Sequence, residues 1–218
     1  RFEMPEGVND PHTMAWTSDG NIWFTVQRSG KAGFIGKLAT DSGEVQIVEV
    51  PGNHMRPYGL VVDNQDRPWI AFMGSNAIGT IDPDSMQLEI ISTPHEESII
   101  RRIGLTSDNR VWWVDAGMGY LGVYNPQDKS MQQWQTPGGE AAGLYAMAVD
   151  SQDRIWYVET GLQPNRFIGF DSKKEQFIAI DKVPSGGLTV RNMVFDDDTN
   201  ALWFGTDANT IGRAVVPD

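Results

Sequence analysis

"PHTMAWTSDGNIWF" at residues 11–24 returns as "PYGLVVDNQDRPWI" at residues 57–70. In both copies an apolar run leads into a tight polar turn rich in Asp, Asn and Gly, and then into a second run ending near a Trp, the pattern of a β-hairpin. That Trp recurs five times, as Trp23, Trp69, Trp112, Trp156 and Trp203, at spacings of 46, 43, 44 and 47 residues. A third strand follows each hairpin in "FIGKL", "AIGTI", "YLGVY", "FIGFD" and "TIGRA", which put Gly36, Gly79, Gly122, Gly169 and Gly212 at one equivalent point. A fourth is read in "EVQIVEVP", "QLEIISTP", "SMQQWQTP" and "EQFIAIDKVP", each ending at a Pro that cannot donate to a further ladder.

Four strands per repeat, at a period in the forties, predict an all-β fold, the β-propeller, with one blade per repeat. The expectation is a single domain over residues 1–218 with five four-stranded blades, at 8–51, 52–94, 95–137, 138–184 and 185–218. The last repeat has no fourth strand of its own, whereas "RFEMP" at residues 1–5 has the fourth-strand pattern. The ring is therefore expected to be closed by the N-terminal strand, which removes the unpaired edge. The same opening residues are what a longer ring would keep after losing two blades, and the strand count fits either case. Closure is favoured because an open stack exposes two apolar blade faces. The recurrent Trp are expected as wedges between blades, each removing about 150–250 Å² from water and so contributing about 4–6 kcal/mol gross.

The composition, 40% hydrophobic with 23 Gly, 12 Pro and 8 Trp, suits a large core cut by frequent turns. A net charge of -12, from 17 basic against 29 acidic residues, argues against a nucleic-acid partner, whose phosphates need a concentrated basic surface. No apolar run approaches the roughly 20 residues of a spanning helix, so no membrane insertion is expected. The absence of Cys excludes disulfides and thiolate chemistry.

In a repeat fold the shared positions carry structure, and function is sought where equivalent positions differ. One such column enters the first strand of each blade: His12, Tyr58, Arg101, Tyr145 and Arg191. A second lies three residues after each Trp: Val26, Phe72, Asp115, Glu159 and Thr206. Both columns are expected at one mouth of a central channel, with Asn192 and Asp207 beside them. Arg grips carboxylates and phosphates bidentately, and Tyr offers a ring face and a hydroxyl. The expected ligand site is thus His12, Tyr58, Arg101, Asp115, Tyr145, Glu159, Arg191, Asn192 and Asp207, for a small anionic or aromatic molecule. The competing reading pairs Arg101 with Asp115 and Arg191 with Asp207 as salt bridges that plug the channel. His54 and His95 are expected as solvated loop residues. No metal-ligand spacing is read, and the residues by themselves call for no cofactor.

The stretches "DPHTMAWTSDGNIWFTVQ", "RRIGLTSDNRVWWVDAGMGYLG" and "GGLTVRNM" resemble the streptogramin B (virginiamycin B) lyase family, and the resemblance covers essentially the whole chain. It implies a propeller, usually of seven blades, that opens a cyclic depsipeptide at its ester by Mg-dependent elimination. It also implies export. The chain begins at Arg1 without an initiator Met, which fits a removed leader or tag or a cut from something longer. The family's site uses His at the first column and Glu at the second, so His12 and Glu159 are the catalytic candidates the resemblance carries over. They come from different blades: His12 faces Val26 in its own blade, and Glu159 faces Tyr145. Three functions follow as expectations: a ligand-binding propeller, a carbon–oxygen lyase, and a scaffold for a protein partner.

Overall fold

The computed structural model describes residues 2–29, 32–52 and 55–217; His54 lies outside them. Among the described residues nineteen strands form five antiparallel sheets in sequence order. The first contains β1 (Pro11–Trp16), β2 (Ile22–Ser29), β3 (Ala32–Leu38) and β4 (Val45–Val50). The second contains β5 (Pro57–Val62), β6 (Pro68–Phe72), β7 (Ala77–Ile81) and β8 (Leu88–Ser92). The third contains β9 (Ile100–Leu105), β10 (Val111–Asp115), β11 (Tyr120–Tyr124) and β12 (Met131–Gln135). The fourth contains β13 (Leu144–Val149), β14 (Arg154–Glu159), β15 (Arg166–Asp171) and β16 (Gln176–Lys182), and the fifth β17 (Val190–Asp196), β18 (Ala201–Thr206) and β19 (Thr210–Val215). Each is an up-and-down meander, the blade of a β-propeller. The chain divides into two compact units, Arg1–Ile103 and Gly104–Asp218.

The repeat positions explain themselves in packing. In the first unit Trp23 is buried with Ile35 of its own blade and Leu60 and Ile70 of the next. In the second unit Trp156 is buried with Met193 and Leu202 of the fifth blade. These are the wedges that the sequence predicts. The recurrent Gly has a reason that spacing alone does not reveal: an aromatic ring of the second strand lies flat on the third. A Cβ on Gly36 would come within 2.1 Å of the Phe24 ring, and one on Gly122 within 2.2 Å of Trp113.

The hairpin turns do more than reverse the chain. Asp63 accepts from the backbone N–H of Gln65 and Arg67, from Arg67 Nε at 2.9 Å and from Trp69 Nε1 at 3.0 Å. Asp150 repeats the arrangement in the fourth blade, taking Arg154 Nε at 2.6 Å and Trp156 Nε1 at 2.8 Å. One carboxylate thus closes the turn, holds an arginine and satisfies the N–H of a buried indole, which would otherwise cost about 1–3 kcal/mol. A second turn residue links neighbouring blades. Asp66 accepts from Ser18 N and Oγ, and Asp153 from Ser107 N and Oγ at 2.7 Å each.

Among the described residues no closing strand is present. The fifth sheet has three strands, β17-β18-β19, and residues 2–5 carry no strand. Instead the opening segment turns at Pro5, whose carbonyl accepts from Val8 N at 3.1 Å. Met4 and Val8 then pack against Phe24, Val26 and Leu38 of the first blade. These apolar residues find a partner within a few tens of residues of chain, where the entropy of loop closure is small. The fifth blade is left with Trp203 at 39% exposure, where Trp23 and Trp112 are at 0%.

Candidate functional site

Four of the five first-column residues, His12, Tyr58, Tyr145 and Arg191, share a backbone device. In the first sheet Pro11 pairs with Val26 and Met14 with Phe24, so two residues, His12 and Thr13, face one, Thr25. The same bulge sets Tyr58 and Gly59 against Ala71, Tyr145 and Ala146 against Val158, and Arg191 and Asn192 against Gly205. A bulge bends the strand and re-aims its side chains, which is why bulges gather at binding sites. No residue type in these stretches announces it. The extra residue appears in the sequence only as two positions between register pairs where a regular strand has one.

In the first unit the bulge brings His12 onto Tyr58, with ring centroids 4.1 Å apart and the planes tilted by 36°. His12 Nδ1 shares a 2.8 Å hydrogen bond with Thr13 Oγ1. Arg102, beside the Arg101 singled out by the repeat, places its guanidinium 5.3 Å from the Tyr58 centroid. The His12 pKa is held below 6.5 by partial burial and then by the Arg102 charge, against an upward pull from Asp10. Tyr58 is buried, and its carbonyl accepts from Thr25 Oγ1 at 2.9 Å. Arg101 is half-buried, and its carbonyl lies 2.7 Å from where a Cβ on Gly59 would stand.

In the second unit the predicted residues divide sharply. Asp115 is buried, and its Oδ1 accepts from Gly117 N at 2.9 Å and Met118 N at 3.2 Å, capping the turn after β10. Glu159 is fully buried. Its Oε1 accepts from Thr136 Oγ1 at 2.6 Å and Gly138 N at 2.7 Å, and its Oε2 from Arg166 Nε at 2.7 Å and from Arg166 Nη2. Tyr157 joins the same network through Thr136 Oγ1 at 2.7 Å, and burial pushes its hydroxyl pKa up. Both carboxylate oxygens are thus committed to protein donors. Tyr145 is buried, with the Arg191 guanidinium 5.9 Å from its ring centroid. Arg191, Asn192 and Asp207 are exposed. Arg191 Nε and Nη2 meet Asp207 Oδ1 and Oδ2 at 3.1 and 2.7 Å, a bidentate pair that holds the Asp207 carboxyl below its usual range. The pairing of Arg191 with Asp207 expected by the salt-bridge reading is therefore present.

These three exposed residues converge on one cavity of about 440 Å³ in the fifth blade, which Thr206, Asn209 and Ile211 also line. The volume lies in the range of small-molecule sites, although the site is a shallow, open depression. Its floor is Gly205, opposite the bulge, where a Cβ would meet nothing within 4 Å. Gly205 stands where the other bulged blades carry Thr25, Ala71 and Val158, and with no side chain it leaves no chemical mark in the sequence. Glu159 does not offer a Mg ion a free lone pair. Among the described residues no three His, Asp or Glu cluster in a way that could hold a metal. The residues present do not fit that ion.

Residues 1–216 match the virginiamycin B lyase family. The chain belongs to that family. A crystal structure of a catalytically inactive histidine-to-alanine variant of virginiamycin B lyase from Staphylococcus aureus with quinupristin superimposes with a TM-score of 0.79 at 20% identity, over 98% of this chain and 72% of that one. A streptogramin B lyase structure gives 0.77 at 19%, over 99% and 71%. The extracellular domain of a putative one-component system from B. thetaiotaomicron gives 0.68 at 17%, over 98% and 28%. At these identities the likeness is one of fold. No curated protein sequence matches the chain.

Proposed function

We propose that this member of the virginiamycin B lyase family is a binding propeller that takes a small molecule into the cavity bounded by Arg191, Asn192 and Asp207. The supporting observation is the convergence of those three exposed side chains over the bare Gly205 floor, while the buried predicted residues Asp115 and Glu159 are engaged by their own blades. Export belongs to the same proposal and rests on the family resemblance. In a ligand-observed NMR screen of neutral, anionic and aromatic compounds, at least one binder should weaken about tenfold or more in Arg191→Ala, because a hydrogen bond to a charged group is lost. Addition of a chelator should change nothing. Binders that ignore Arg191→Ala would sink this reading.

One observation favours carbon–oxygen lysis of an ester as a second reading. His12 is exposed and its depressed pKa keeps the imidazole neutral, the form that accepts a proton, at physiological pH. Consumption of a cyclic depsipeptide that disappears in His12→Ala would establish it, and no turnover by the intact chain would end it.

A further inference from the structure

Among the described residues lining the fifth-blade cavity, Arg191 carries the one positive charge and Asp207 the one negative. They neutralise each other through two hydrogen bonds. An anionic ligand would have to compete with Asp207 for the guanidinium and approach a chain of net charge -12. An aromatic ligand would find no aromatic side chain in the lining to stack against. The anionic or aromatic ligand expected from the residue types therefore fits this cavity poorly.

The cavity's own chemistry is two-sided. Its floor and one wall are apolar: Gly205 is bare, and Ile211, its register partner on β19, is 82% exposed. Its rim offers donors and acceptors side by side in the Arg191–Asp207 pair and in the carboxamides of Asn192 and Asn209. A hydroxyl is matched to such a rim, because it donates to the carboxylate while accepting from the guanidinium. The carbon face of a saturated ring is matched to the floor. The geometry points to a neutral, hydroxyl-rich ring, a saccharide or cyclic polyol, as the ligand class of this cavity, an inference that rests on reading the cavity as a binding site.

The test uses the whole chain, with backbone-amide NMR titrations against glucose, myo-inositol, glucuronate and benzoate. Glucose or inositol should shift the amides of Asn192, Gly205 and Asn209, with glucuronate binding no more tightly. Gly205→Leu should weaken the neutral probes about tenfold or more by filling the floor. Its backbone lies outside the left-handed region and its Cβ direction is open, so the blade should keep its fold. Asp207→Asn removes the competing carboxylate charge and should reverse the order, glucuronate gaining about tenfold over glucose. If glucuronate or benzoate binds the unmodified chain more tightly than the neutral probes, and Arg191→Ala removes that binding, the cavity stands and the ligand class falls. If no probe shifts the cavity amides, both readings fall. Both also fall if the chain dimerises through this face, seen as concentration-dependent association that Gly205→Leu abolishes.

Discussion

Glu159 in the fourth blade and Asp207 in the fifth each bind an arginine through two guanidinium nitrogens, yet the first carboxylate is buried and the second is open to water. The side chain of Glu159 is 0% exposed and that of Asp207 39%. The contrast extends beneath them: Trp156 is covered by Met193 and Leu202, while Trp203 stands exposed at the equivalent position. One repeat can thus yield a structural ion pair or a chemically available one. Packing over the blade decides between them more than residue type does.

The largest expected effect lies in the buried pair. Arg166→Ala leaves Glu159 charged without its counterion, which should cost about 3–5 kcal/mol. Urea denaturation should show it, and the double variant Arg166→Met with Glu159→Gln should recover most of the loss. A cost under about 1 kcal/mol, the range of an exposed pair, would break the contrast between the two arginines. The turn carboxylates sharpen it further. Asp150→Ala leaves a buried Trp156 N–H and the Arg154 Nε without their acceptor, for an expected loss of about 2–3 kcal/mol. Asp196→Ala removes acceptors for Thr199 Oγ1 at 2.5 Å and Trp203 Nε1 at 3.3 Å on the open blade, and should cost clearly less than the Asp150 change. Equal losses at the two turns would show that burial is not the deciding variable.

The repeat itself was legible because Trp and Gly recur for steric reasons that tolerate no substitute: an indole fills the gap between blades, and a missing Cβ admits a ring over the third strand. The first column was legible as a place of variation, but the bulge that aims it was not, since two-against-one pairing depends on the partner strand's register. Glu159 was picked out by its position in the repeat. Its burial comes from Thr136, Gly138 and Arg166, which lie in other stretches of the chain and give no local signal. The opening "RFEMP" has a strand pattern, but Met4 and Val8 spend their apolar surface on the first blade, a preference that the alternation of residues does not reveal. Gly205 shows the reverse failure: its importance lies in the side chain it lacks, which no search for chemistry-bearing residues detects.

The smallest effect tests the same contrast in the first blade, where the bulge carries a group that can titrate. Burial and the Arg102 charge disfavour the protonated form of His12 in the fold, and Asp10 opposes them only in part. The folded pKa is thus below the ordinary value of about 6.5. As pH falls through that value, the unfolded chain takes up a proton that the folded chain refuses. The contribution of His12 to stability is therefore present above the unfolded pKa and lost as pH drops toward the folded one. An NMR titration of the imidazole C–H should place its midpoint below that of a free histidine. Arg102→Ala should move the midpoint up by removing a like charge, and Asp10→Asn should move it further down by removing an opposite one. A midpoint indifferent to Arg102→Ala would mean that the guanidinium seen over Tyr58 does not act on His12 in solution. Partial burial would then be left as the one cause of the depressed pKa, and His12 would differ from Arg191 only in residue type, not in the charge its neighbours impose on it.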